Sequence, residues 1–494
     1  MASGGDQMTG ETLIILALLV PAIGTVLIAL TSRRENVREA TTLVTAAILF
    51  TLVMTIFSRV MQGEQPMTGT FQVVPGLELA FKVEPLGMLF ACVASTLWIV
   101  NSIYSIGYMR GNNEPRQTPF YMFFAIAIAS TIGIAFAANL FTLFLFYEAL
   151  TLSTYPLVAH KGDDNAKAGG RVYLLILLGT SMVLLLPAII ATAMIAGTLD
   201  FTPGGILAGK VSDGVIAVLL ALYIFGIGKA AVMPLHWWLP AAMVAPTPVS
   251  ALLHAVAVVK AGVFAVVKVI VYVFGVDALA RAGNAEWLVW IAGFTVLTAS
   301  VVALRQDNLK KLLAYSTVSQ LSYVILAASI LTPLSIAGAA MHIAAHAVSK
   351  ITLFFAAGSI YTASHLTEVS QLDGIGRRMP WTMVAFAIGA LSMIGVPPTA
   401  GFLGKWFILT GAMNTGQWVA VAVIVLSTLL NAGYFLPIIV QAFFRPPGKD
   451  VRTHAKGEAP MPIVIALTAT AAGTVLLFLF PDVPLMLSRL LAGV

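Results

Sequence analysis

Apolar stretches of about 20 residues recur from one end of the chain to the other, separated by short polar breaks. At 1.5 Å per residue, a helix of that length crosses a hydrocarbon core about 30 Å thick, so each stretch predicts a membrane-spanning helix. Fourteen are expected, at residues 11–31, 40–60, 84–109, 119–138, 140–160, 171–197, 214–233, 249–276, 286–304, 311–331, 334–362, 380–410, 417–443 and 461–480. The opening segment MASGGDQMTGETLIILALLV has no basic region before its apolar run and no small-residue cleavage pattern after it. It therefore reads as a retained first helix rather than a signal peptide.

Composition agrees with the pattern. Of 494 residues, 59% are hydrophobic and 10% charged, and the mean hydropathy is +0.95. So few charges cannot coat a water-facing surface of this size, which excludes a soluble protein and leaves an all-α polytopic membrane protein. The net charge of +6 does not indicate nucleic acid, because the basic residues sit in short loops and no basic tract with interleaved aromatics exists. Seventeen Lys and Arg residues, from Arg33 to Lys456, fall in one set of alternate loops, and only Arg59, Lys82, Lys210, Arg281 and Arg489 fall in the other. That bias places the first set in the cytoplasm and both termini outside, in the periplasm of a bacterial inner membrane. The single cysteine, Cys92, lies in an apolar run, so no disulfide framework and no cysteine-based metal or redox centre is expected.

Five lysines remain inside the expected helices: Lys229, Lys260, Lys268, Lys350 and Lys405. Among the 21 acids only Glu148 is expected to be similarly buried. Each ionisable group at a helix centre costs about 2.5–3.5 kcal/mol, so six facing lipid would cost roughly 15–20 kcal/mol. They must face the protein interior, water or one another. Glu148 sits midway along its helix with apolar residues before it. Lys229 lies five residues before Pro234, where the lost backbone donor should kink or break the helix, and Lys405 follows Pro397, Pro398, Gly401 and Gly404 in a second such element. Lys260 is about 16 Å from its helix end, too deep for easy snorkelling, whereas Lys268 is about 12 Å from the outer end and could reach the interface. His254 does not stack on Lys260 and could be a packed histidine or a proton carrier.

The run MHIAAHAVSKITLFF sets His342, His346 and Lys350 four residues apart, on one helical face in a titratable row about 12 Å long. Two such histidines could ligate a metal, but no carboxylate or cysteine accompanies them and Lys350 would repel a cation, so a proton relay is favoured over a metal site. A desolvated lysine shifts toward neutrality and a nearby carboxylate shifts it back, so moving one charge toggles the proton on the next. Phosphate loops, Ser-His-Asp arrangements and paired carboxylates are absent from the sequence, which gives no sign of a hydrolase or transferase.

These segments together resemble the antiporter-like subunits shared by Mrp-type sodium/proton antiporters and the proton-pumping arm of respiratory complex I. The resemblance spans nearly the whole chain. It rests on Glu148 in FYEALTLSTYPL, Lys229 in GIGKAAVMPLHWWLPAAMVAPTPVSALLHA, Lys260 in VVKAGVF, the row of His342, His346 and Lys350, and GVPPTAGFLGKW, which ends on Lys405 and the tryptophan after it. It implies fourteen helices, with two inverted five-helix repeats (residues 119–276 and 286–443), each containing one broken helix, after three N-terminal helices (11–109) and before a last helix with a short tail (461–494). It also implies that Glu148 and Lys229 form an ion-pair switch, that Lys260 with nearby His254 is the central relay, that His342, His346 and Lys350 connect, and that Lys405 stands near the exit. Lys405 argues against one complex I subunit, which usually has Glu there. The short tail suggests a core-only member, and the wording of the chain favours the Mrp D-type subunit.

The expected function is accordingly a proton-conducting subunit of a multi-subunit Na⁺/H⁺ antiporter, with other membrane subunits as partners and no cofactor of its own. The rivals are a membrane subunit of an NADH:quinone oxidoreductase or membrane-bound hydrogenase, and an energy-coupling subunit of another uptake system. No acidic cluster marks a sodium cage.

Overall fold

A computed structural model describes residues 8–283 and 285–493. The first seven residues, before the expected first helix, and the last residue of the expected tail lie outside them. The chain folds into helices α1 (Gly10–Leu30), α2 (Glu35–Met61), α3 (Pro85–Gly111), α4 (Gln117–Ala135), α5 (Leu140–Val158), α6 (Asp164–Ala196), α7 (Asp213–Gly226), α8 (Thr247–Phe274), α9 (Glu286–Leu304), α10 (Leu309–Ser329), α11 (Pro333–Ser364), α12 (Pro380–Ile394), α13 (Ala400–Asn414), α14 (Trp418–Phe444), α15 (Met461–Leu479) and α16 (Asp482–Ala492). Twelve of them (α1–α6, α8–α11, α14 and α15) are long and apolar enough to cross a membrane. The two other expected spans are each represented by a shorter apolar helix, α7 and α12, followed by a break.

Burial sorts the helices into a core and a rim. Of the most apolar window in each helix, 100% is buried in α10 and 94% in α8 and in α11, against 33% in α6 and in α15. A helix apolar on every face belongs either in a protein core or against lipid, and here the polar residues decide which. The most enclosed helix, α10, contains Ser316, Thr317, Ser319, Gln320, Ser322 and Tyr323 in its middle, all buried. The 32-residue α11 is the hub, packing on α3, α8, α10, α12, α13, α15 and α16.

The first break comes earlier than the proline suggests. α7 ends at Gly226, and Ile227 to Ala231 turn through a single tight turn of helix, with Ala231 at φ +56°, before Pro234 is reached. Close packing fixes the position. A Cβ on Gly262 of α8 would lie 2.4 Å from the Lys229 carbonyl carbon and the Ala230 nitrogen, so only glycine lets α8 lie against this turn. The Trp238 indole donates to the Gly228 carbonyl at 3.0 Å, a second donor beside the Ala231 amide. The second break matches the expectation: α12 closes at Gly395 (φ +93°), Pro397 and Pro398 follow, and α13 starts at Ala400. A Cβ on Gly401 would meet the Ser392 carbonyl oxygen at 1.9 Å, while the Gly401 amide donates to the Ser392 hydroxyl at 2.9 Å.

Other departures have equally local causes. The loop before α3 forms a small hairpin, β1 (Phe71–Val74) against β2 (Leu77–Leu79), turned at Gly76, in a chain expected to be wholly helical. α6 begins at Asp164 rather than 171 because the Asp163 carboxylate accepts the Ala166 amide at 2.7 Å and caps the helix. The tail is a further helix, α16, packed on α3 and α11. Glu148 is not the sole buried acid: Glu39 is held by Arg110 and Arg38, and Glu84 by Lys268.

Overpacking at a backbone contact costs about 1–3 kcal/mol or more. Gly401→Val should therefore sharply lower the yield of folded protein, measured by size-exclusion chromatography in detergent. Gly179→Ala, where a Cβ meets nothing within 4 Å, should leave it unchanged.

Candidate functional site

All eight residues singled out from the sequence are buried. Lys229, on the first break, donates its ammonium to the Tyr147 carbonyl at 2.9 Å and to the Thr151 hydroxyl, and stands 3.2 Å above the Tyr147 ring. The Thr151 hydroxyl gives its own proton to the Tyr147 carbonyl, so it is an acceptor toward the lysine. Glu148, next to Tyr147 on α5, forms no ion pair with Lys229 in this structure, and neither of its carboxylate oxygens has a hydrogen-bond partner among the described residues. The breaking of α7 thus presents Lys229 to α5 as a donor to backbone and hydroxyl oxygens, one residue away from a free carboxylate.

Lys260 and His346 meet directly. The Lys260 ammonium, on α8, hydrogen-bonds the His346 Nδ1 on α11, a contact in which either group can hold the shared proton. The His346 ring lies nearly parallel to that of His342 one turn away, at 18° and 6.2 Å between centroids, so the expected row exists. Lys350, the third member, donates to the Ser316 hydroxyl of α10 at 2.8 Å. His254 lies in a widened turn of α8, Leu252–Val256, of the kind that often marks functional sites. Its Nδ1 is 3.0 Å from the Thr317 hydroxyl, which donates to the Leu313 carbonyl. Thr317 therefore accepts from Nδ1–H, which leaves Nε2 of the neutral ring as a bare acceptor with no partner among the described residues.

The path continues through residues that pattern and spacing alone did not single out. His342 Nε2 is 3.0 Å from the Gln320 side-chain carbonyl, and the Gln320 amide donates to the Met393 carbonyl at 3.4 Å, which fixes the amide orientation and makes Nε2–H the donor. Met393 is in the last turn of α12, where carbonyls lack helical partners. Its oxygen also accepts Lys405 at 2.8 Å and Asn431 at 3.3 Å, and Lys405 reaches Ile394 at 3.0 Å as well. Lys405 thus caps the half-helix, where a cation is favoured by the helix dipole. It stands 4.7 Å over the Tyr323 ring. Tyr434 donates to Ser316 at 3.2 Å and to Asn431, tying Lys350's partner to this end. The signal for Gln320, Ser316 and Thr317 was available: a helix with this many polar residues amid apolar neighbours must bury them.

Lys268 does not snorkel. It is fully buried, donates to the Ala137 carbonyl at 2.6 Å and lies 3.1 Å from the Glu84 carboxylate. Among the described residues no group of three His, Cys, Asp or Glu side chains is placed to hold a metal ion. Lys260, His346, His342, Gln320 and Lys405 form a row of donors and acceptors from α8 through α11 and α10 to the second break, and Lys229 with Glu148 stands beside the first.

Comparison with known proteins gives this row a context. Residues 137–431, more than half of the chain, match the family described as NADH:quinone oxidoreductase/Mrp antiporter, TM. The chain is 33% identical over 421 residues to NADH-quinone oxidoreductase subunit N of Desulforudis audaxviator, covering 82% of this chain and 83% of that protein. It is 29% identical over 452 residues to a Na(+)/H(+) antiporter subunit of Alkalihalophilus pseudofirmus, covering 84% of this chain and 54% of that protein, and so spans about half the length of that relative. In fold it is similar to a chain of the Mrp complex from Dietzia sp. DQ12-45-1b, with a TM-score of 0.86 at 22% identity over 98% of this chain and 97% of the other. The segments that place Lys229, Lys260, His346 and Lys405 all lie inside the matched stretch, and the chain belongs to the NADH:quinone oxidoreductase/Mrp antiporter family of membrane proteins.

Proposed function

We propose that this chain is a proton-translocating subunit of a multi-subunit monovalent cation/proton antiporter that exchanges Na⁺ for H⁺. The observation that supports it most is the Lys260–His346 contact, which joins the α8 and α11 ends of a row running from Lys229 to Lys405. The α7 and α12 breaks belong to two further membrane crossings, giving fourteen, with the two five-helix units at 119–276 and 286–443 repeating one another in inverted sense. The loop charge bias orients the protein with both termini outside, in a bacterial inner membrane.

In this reading Lys229 has two partners in turn. Held by Tyr147 and Thr151, as here, it leaves Glu148 free; paired with Glu148, it would release those oxygens. Each exchange shifts a charge at the first break, and a proton steps from Lys260 to His346 and on to His342, which Gln320 ties to the Met393 carbonyl that holds Lys405. The cytoplasmic end of the path, where protons taken up from outside are released in exchange for cytoplasmic Na⁺, is a cavity of about 180 Å³ lined by Tyr108, Lys161, Thr247 and Lys310, two turns of α8 from His254. At its rim, burial holds the Glu114 carboxyl above its usual range, against the pull of Lys161 and Lys310.

A redox-driven proton pump is the second reading, favoured by the 33% identity to an NADH-quinone oxidoreductase subunit. The two differ in their partners. Native purification in mild detergent, with mass spectrometry and an optical spectrum, should yield colourless membrane subunits that include a larger homologue; flavin or iron-sulfur absorbance would replace the antiporter reading with the pump. Proton-transfer groups contribute about 10²–10⁴-fold to a rate, so Glu148→Ala and Lys229→Ala should each lower ion flux in proteoliposomes at least about hundredfold at unchanged assembly. Normal flux in either would remove the switch. Because a guanidinium stays protonated, Lys405→Arg should slow exchange more than it lowers the amount of assembled complex, and an unchanged rate would show that Lys405 never gives up its proton.

A further inference from the structure

The row just described needs a way out on the face opposite the cytoplasmic cavity, and α8 itself leads there. Lys268 is eight residues beyond Lys260 on the same helix, about 12 Å along the axis. It is the last ionisable group of α8 before the helix widens into a second irregular turn, Val269–Phe274. Its ammonium faces the Phe201 ring at 4.2 Å and the Phe264 ring at 5.5 Å, and its only acid within ion-pair distance among the described residues is Glu84 at 3.1 Å.

Glu84 stands at the entrance of α3 and looks the other way as well. It lines a cavity of about 300 Å³ together with Glu64, Lys82, Pro203, Tyr272 and Leu490. Every one of these residues lies at or beyond the helix ends that the charge bias places outside. The charged and titratable groups around the Glu84 carboxylate are therefore Lys268 behind it, and Lys82, Tyr272 and Glu64 beside the cavity, Glu64 being 3.6 Å from Arg59. A pair that served only to hold α3 to α8 would be replaceable by apolar residues, since burying two charges costs several kcal/mol before their attraction repays it. Here one partner shares α8 with Lys260, about 12 Å along the axis, and the other lines the cavity.

Resting on the antiporter reading, we propose that Glu84 and Lys268 form the outer proton-exchange gate of this chain, closing the row of Lys260, His346 and His342 from the external cavity. The Lys268 ammonium gives a proton to the Glu84 carboxylate, leaving an amine and a carboxylic acid. The acid then loses that proton to water in the cavity, and the amine accepts the next one from Lys260 through a file of water spanning the roughly 12 Å between them. For inward flow each step reverses. Charge is conserved at every step, and no cation other than the proton is involved.

The test uses the native complex in proteoliposomes, with proton flux recorded against pH on the face of the Glu84 cavity. The double variant Glu84→Gln/Lys268→Met removes both charges and leaves no buried ion unpaired. It should assemble like the wild type, pass protons more than tenfold more slowly and lose its response to external pH. Lys268→Arg keeps the ion pair, and with it any purely structural role, but cannot deprotonate; it too should slow flux more than tenfold. Wild-type rate and pH profile in either variant overturns the gate, and if the double variant fails to assemble, Lys268→Arg alone decides. The co-purification test separates the two ideas: a normal Lys268→Arg in a complex of colourless subunits rejects the gate alone, whereas flavin or iron-sulfur absorbance rejects the antiporter reading beneath it.

Discussion

An ionisable side chain cannot be left against hydrocarbon, and the rest of this structure follows from having eight lysines and histidines, with a glutamate, at membrane depth. Each lysine and histidine finds oxygen, nitrogen or an aromatic face within the protein, and Glu148 alone of the nine has no hydrogen-bond partner among the described residues. The outcome is a helix, α10, wholly buried over its most apolar window, flanked by α8 and α11 at nearly the same depth, with the poorly buried α6 and α15 at the rim. Apolar content alone would not have ranked these helices. The polar atoms do, since Ser316, Thr317 and Gln320 of α10 are the partners of Lys350, His254 and His342.

The two breaks answer the same constraint from the backbone side. A helix that stops inside the membrane frees carbonyls that hydrocarbon cannot satisfy. At the second break the oxygens of Met393 and Ile394 are taken by the ammonium of Lys405, and at the first the Gly228 carbonyl is shared by the Ala231 amide and the Trp238 indole. Each lysine thereby sits where a displaced proton would be missed by a specific backbone group. The glycines opposite, Gly262 and Gly401, admit the neighbouring backbone, so the break and the helix that supports it are specified together.

The class of fold and the burial of the central lysines and histidines were legible in the sequence because both rest on burial cost. Spans of about 20 apolar residues and lysines in the middle of them need no tertiary information, and His342, His346 and Lys350 share a face by period alone. Position across the chain was not legible. Nothing in the local sequence says that Lys260 reaches His346, 86 residues away, or that Lys268 turns to Glu84 rather than to the interface. Pro234 marks the neighbourhood of the first break, but close approach of α8 sets it at Ile227, and that depends on a glycine in a different helix. Glu84 gives no signal of burial because it stands just before a helix, where a carboxylate ordinarily belongs to a solvated end.

The Met393 carbonyl, finally, is oversubscribed. Three donors converge on an oxygen with two lone pairs, and the charged one is nearest, at 2.8 Å against 3.3 and 3.4 Å for the amides of Asn431 and Gln320. Such an acceptor is a point of contention rather than a simple anchor. When Lys405 gives up its proton its claim weakens from that of an ion to that of an amine, and the two amides are free to draw closer. Gln320 holds His342 with its other end, so the occupancy of the last lysine is reported back to the histidine row by a rebalancing of hydrogen bonds around one oxygen, without any helix having to move.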